Sequence, residues 1–125
     1  WVTKKTGEGW NELRHWRTLG WLFVETRIFT AAVTRLLDDE AYRALQLELA
    51  VRPEAGDVIP GSGGVRKVRW GRSGRGKRGG VRVFYVHRAA HGRIYLLHVI
   101  DKAERADLTR RQVAMLRAAV EEELP

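Results

Sequence analysis

A chain of 125 residues with 44% hydrophobic residues and five Trp is long enough for one domain with its own core. It has no Cys, which excludes disulfides and thiolate metal sites, and no apolar run approaches the roughly 18 residues of a membrane-spanning helix. The net charge of +8 is local: residues 63–86 hold eight Lys and Arg and no acid, while the rest of the chain holds 15 basic and 15 acidic residues, which cancel.

Residues 1–21 read as an N-terminal extension whose role the sequence does not assign, and residues 22–125 as the domain. In the extension Trp10, Leu13, Trp16 and Leu19 recur every third residue, a pattern compatible with a short amphipathic helix although its period is nearer 3.0 than 3.6. "WLFVET", residues 21–26, is rich in strand formers and predicts a first strand. Phe29, Val33, Leu36 and Leu37 then follow helical spacing, and Tyr42, Leu45 and Leu49 repeat it after Asp38 or Asp39, either of which can cap the second helix. Residues 52–64 carry two of the three prolines and four glycines and predict a long loop.

"VRKVRW", residues 65–70, alternates, with Val65, Lys67 and Arg69 on one face and Arg66, Val68 and Trp70 on the other. "VRVFYVH" and "RIYLLHVI" predict two more strands joined by a turn at "AAHG". Thr109 and Gln112 have the spacing of a capping box, and Val113, Leu116, Val120 and Leu124 give the last helix its apolar stripe. The sum is a small α+β domain with an antiparallel sheet and the order β-α-α-β-β-β-α.

Two glycine motifs lie in the basic stretch. "GRSGRGK", residues 71–77, has the spacing of a phosphate loop, and "GRGKRG", residues 74–79, that of a dinucleotide fingerprint. Both need a following helix, and here a strand is predicted; the phosphate loop also lacks its Ser or Thr, with Arg78 in that place. His87 and His91 are four apart but fall at a strand end and a turn, so they predict no metal site. His98 reads as a partly buried ring within an apolar strand. No cofactor is expected.

A localised positive field draws polyanions, nucleic acid foremost. Lys67 and Arg69 share a strand face, Arg82 stands near them on the antiparallel neighbour, and Tyr85 or Phe84 offers a ring to stack on a base. Arg66, Arg72, Arg75, Lys77 and Arg78 extend the RNA-binding surface along the hairpin as anchors for phosphates. The plain alternative is a solvated hairpin whose charges guard an exposed sheet face against aggregation.

"FVETRIFT", "LLDDEAYRALQLEL", "PEAGDVIPGSGGVRKVRWGRSGRGKRGGVRVFY", "IYLL" and "DLTRRQ", in this order, resemble the HigB-type toxins of the RelE superfamily from about Phe23 to the C-terminus. The resemblance implies a bacterial type II toxin: a metal-independent endoribonuclease that cleaves messenger RNA on the translating ribosome and is neutralised by a cognate, HigA-like, DNA-binding antitoxin. It also implies a RelE-like fold and a cytoplasmic location, with no membrane partner; the chain opens without a signal-peptide pattern. Its basic pair falls on Lys67 and Arg69, its third-strand Arg on Arg82, and the end of its fourth strand on Lys102 and Glu104. The sequence departs from the family at three places: Ile100 replaces an aromatic, Arg27 replaces the usual Pro, and the last helix has no Tyr to act as general acid. Two other readings share the fold, a catalytically silent RNA- or antitoxin-binding module and a ParE-like gyrase inhibitor.

Overall fold

The computed structural model describes residues 10–71, 80–104 and 107–124. Its first element corrects an expectation: Trp10–Thr18 is a strand, β1, and not a helix. A repeat of three suits no helical face, whereas the backbone of this segment pairs antiparallel with the open edge of β2 (Trp21–Thr26). The hairpin closes at Leu19 and Gly20, both at positive φ (49° and 88°), the backbone signature of a type I′ turn. Trp16 stacks on Phe23, with centroids 6.1 Å apart, and meets the ring of Tyr42 edge-on at 5.5 Å. The segment is thus packed onto the core.

Thr26 ends β2 and caps α1 (Arg27–Leu36): its Oγ1 accepts from the Phe29 N–H at 3.0 Å and donates to the Leu97 carbonyl at 2.7 Å. Asp38 caps α2 (Asp39–Val51), accepting from the Ala41 N–H at 2.7 Å. The stripes of the two helices are buried at the expected positions, Phe29, Val33 and Leu36 in α1 and Tyr42, Leu45 and Leu49 in α2. The loop that follows holds one short addition, the strand β3 (Asp57–Val58). Then come β4 (Arg66–Trp70), β5 (Val81–Arg88), a 3₁₀ turn at Ala89–His91, β6 (Arg93–Asp101) and α3 (Arg110–Glu123). Thr109 and Gln112 close the expected capping box on α3.

The fold is α+β, and its six strands lie in the order β1-β2-β6-β5-β4-β3. The sheet is mixed, which corrects the expectation of an antiparallel one: β2 runs parallel to β6. Helices α1 and α2 carry the chain from β2 to the far edge of the sheet, and the antiparallel run β3-β4-β5-β6 returns it beside β2, where β6 runs in the same direction. The element order likewise gains β1 and β3 over the seven elements expected.

Two apolar layers flank the sheet. On one side α1 and α2 cover Phe23, Val81, Val83, Tyr85, Ile94, Leu96 and Val99. On the other, Leu116, Ala119 and Val120 of α3 cover Phe84, Val86, Tyr95, Leu97 and Ile100. Irregular pairing between Phe84 and Tyr85, opposite Leu96–His98 of β6, marks a bulge beside the second layer. Among the described residues no helix is long and apolar enough to cross a membrane.

Candidate phosphate-binding site

Strand β4 distributes its charges by alternation. Arg69 pairs with Arg82 of β5 and Lys67 with Phe84, so Lys67, Arg69 and Arg82 all project on the α3 side of the sheet, as the alternation in "VRKVRW" predicts. Like charges set opposite one another across two strands repel, so this arrangement needs an anion nearby.

The anion present is Asp107, in the segment leading into α3. Lys67 Nζ donates to Asp107 Oδ2 at 2.7 Å, and Arg82 Nη1 lies 3.8 Å from the same oxygen. The Leu108 N–H donates to Oδ1 at 2.8 Å. Partial burial is the largest single influence on this carboxyl and disfavours its charge; the Lys67 and Leu108 hydrogen bonds, with the charges of Lys67 and Arg82, outweigh it and hold the pKa below the usual carboxylate value. One carboxylate thus serves two cations, Lys67 and Arg82. The Arg82 side chain is only 17% exposed, and its Nε is buried with no hydrogen-bond partner among the described residues. An oxyanion with more than one acceptor oxygen would satisfy that donor together with Nη1.

Other expected site residues lie elsewhere. Lys102 and Glu104 stand on the exposed turn beyond β6, tied by backbone bonds from Lys102 N–H to the Gly80 carbonyl (3.2 Å) and from Glu104 N–H to the Asp101 carbonyl (3.1 Å). Ile100 pairs with Arg82 and is buried. Arg66 corrects an expectation, because it projects on the α1–α2 side and spends its guanidinium on the loop, donating to the Gly56 carbonyl at 2.8 Å. Tyr85 corrects another. It is fully buried on that same side, its hydroxyl donates to the Pro53 carbonyl at 2.6 Å and accepts the Gly56 N–H at 2.9 Å, and burial raises its pKa. Phe84 is equally buried, so neither ring can stack on a base. Arg72, Arg75, Lys77 and Arg78, with most of the glycine motifs, lie outside the described residues.

Beside the cations a cleft of about 210 Å³ opens between Ile28 of α1, His98 of β6, and Leu108, Gln112, Met115 and Leu116 at the start of α3. The half-buried His98 ring stacks on Phe84 with centroids 6.4 Å apart. Sequence reasoning missed both the cleft and Asp107. The only hint of Asp107 was an acid two residues ahead of a capping Thr, and nothing local announces that it reaches back 40 residues to Lys67.

No group of three or more His, Cys, Asp or Glu suited to a metal ion occurs among the described residues. No protein-family model matches the chain.

Proposed function

We propose that the protein is a HigB-like type II toxin, an endoribonuclease that cleaves messenger RNA on the translating ribosome without a metal and is held inactive by a cognate antitoxin. The observation that carries this reading is the convergence of Lys67 and Arg82 on a single carboxylate oxygen. Cations that meet on one anionic oxygen can meet on a phosphate oxygen, and Arg69 beside them adds further positive charge to attract the backbone.

RNA supplies its own nucleophile. Attack of a ribose 2′-oxygen on the adjacent phosphorus forms one P–O bond and breaks the bond to the 5′-oxygen, leaving a cyclic phosphate and a 5′-hydroxyl. Negative charge grows on the non-bridging oxygens during this step. Lys67 and Arg82, held on strands at partly buried positions, stabilise that charge more in the transition state than in the ground state. A metal is not required for this chemistry.

Ile100 favours one second reading, a catalytically silent RNA- or antitoxin-binding module, because a buried aliphatic side chain faces Arg82 where the resembled family carries an aromatic. Induction in bacteria with mapping of RNA 5′ ends separates the two. New ends at codon-related positions, absent with Arg82→Ala, support the nuclease. RNA binding without new ends supports the silent module, and DNA damage would point to gyrase instead.

A further inference from the structure

The cleft beside Asp107 is an apolar recess that borders the cationic face. Two large apolar side chains stand exposed at its walls, Ile28 (37% exposed) and Met115 (41%), and the chain continues directly from Asp107, on the cations, to Leu108, in the cleft lining. The register gives a second link. Lys67, Phe84 and His98 lie side by side across β4, β5 and β6, and Arg82 is two residues along β5 from Phe84. Neighbouring strands are roughly 5 Å apart and residues along a strand rise roughly 3.3 Å, so the backbone of His98 lies roughly 8–10 Å from those of Arg82 and Lys67, a span that their long side chains and one nucleotide can bridge.

We propose that this cleft is a nucleobase slot: it takes the base of a ribonucleotide whose phosphate sits between Lys67 and Arg82, where the Asp107 carboxylate now lies. The proposal rests on the reading of Lys67 and Arg82 as phosphate ligands. A flat π-system suits the recess, since its inner side carries an imidazole already stacked on Phe84 and its outer walls are a thioether and aliphatic groups. The occupant is also expected to be anionic at one end. Asp107, the group it displaces, is 46% exposed and lies in a short connecting segment, so it can swing aside to water. Tyr85 and Phe84 are unavailable for stacking, and this cleft supplies the base contact that the buried rings do not.

The test titrates the full chain with nucleoside monophosphates, ribose 5-phosphate and inorganic phosphate, following affinity by calorimetry and the Met115 methyl resonance by NMR. All three should bind, and Lys67→Ala or Arg82→Ala should weaken all three. Nucleotides should bind roughly tenfold more tightly than ribose 5-phosphate, the scale of one stacked base, and only nucleotides should shift Met115. Ile28→Ser and Met115→Ser, both at exposed positions, should remove the tenfold gain and leave ribose 5-phosphate unaffected. Equal affinities with a silent Met115 would overturn the slot while the phosphate site stands. Binding indifferent to Lys67 and Arg82, or none at all, would overturn the phosphate reading and the slot with it. A Leu- or Phe-bearing peptide that shifts Met115 when no nucleotide does would make the cleft a protein-docking surface and also overturn the proposal.

Discussion

The two faces of the sheet use the same residue types for opposite ends. On the α1–α2 side, Arg66 and Tyr85 satisfy loop carbonyls and a loop N–H. On the α3 side, Lys67 and Arg82 share one carboxylate, with Arg69 beside them on the same face. Adjacent residues of one strand, Arg66 and Lys67, therefore belong to a structural network and to a ligand site respectively. The difference comes from what covers each face: two helices and a loop close one, whereas a single helix leaves the β4 side of the other open.

Substitutions should break this contrast unequally. The largest effect is expected from Tyr85→Ala on the closed face. It empties a fully buried position and strands the Pro53 carbonyl and Gly56 N–H, which should cost about 3–5 kcal/mol of stability in denaturant unfolding. Arg82→Ala, on the open face, should leave the midpoint nearly unchanged and lower single-turnover cleavage by roughly 10²- to 10³-fold, with the scale set by loss of one charge-stabilising donor. If the two variants exchanged these phenotypes, the division of the faces would be wrong.

Lys67→Ala should reduce the salt dependence of RNA affinity by about one counterion. Arg66→Ala should leave that slope intact and cost about 1 kcal/mol of stability through its lost hydrogen bonds to the loop. Of similar size is the effect expected from Trp16→Ala, about 1–2 kcal/mol, because the ring packs on Phe23 and Tyr42. A thermal melt that did not move would show that β1 adds nothing to the closed face.

The smallest effect is in pH. His87, edge-on to Trp21 with centroids 6.2 Å apart, has its pKa lowered from 6.5, first by burial and then by the charge of Arg66. The unfolded chain then binds the proton more readily than the folded one. The His87 contribution to stability is full above pH 6.5 and is lost as pH falls through the lower folded value. His87→Gln should flatten the melting temperature between pH 7 and 5 by a small, measurable amount.

Local features of this fold were legible in the sequence and long-range ones were not. The stripes of α1 and α2, the Asp38 cap, the Thr109–Gln112 box and the alternation of β4 each depend on residues a few positions apart. Tyr85 illustrates the limit. Strand β5 is covered on both sides, so "VFYV" is apolar throughout and alternation cannot say which ring faces which layer. The parallel pairing of β2 with β6 and the reach of Asp107 to Lys67 depend on segments tens of residues apart, for which periodicity carries no signal. The cationic trio was readable because its geometry is that of one hairpin, whereas its counter-anion was not.

Gly56 joins the two faces mechanically. A side-chain carbon at this position would lie 2.8 Å from the Lys67 carbonyl oxygen and 2.9 Å from Tyr85 Cε1, closer than such atoms approach. Relief would come by moving the backbone of β4, and the atom struck belongs to the residue whose ammonium holds Asp107 on the opposite side. Clearance behind the strand therefore sets the alignment of the charge in front of it. Gly56→Ala, remote from any bound anion, would act as a shim that misaligns Lys67 with no change in the charge, the cleft or the residues that touch substrate.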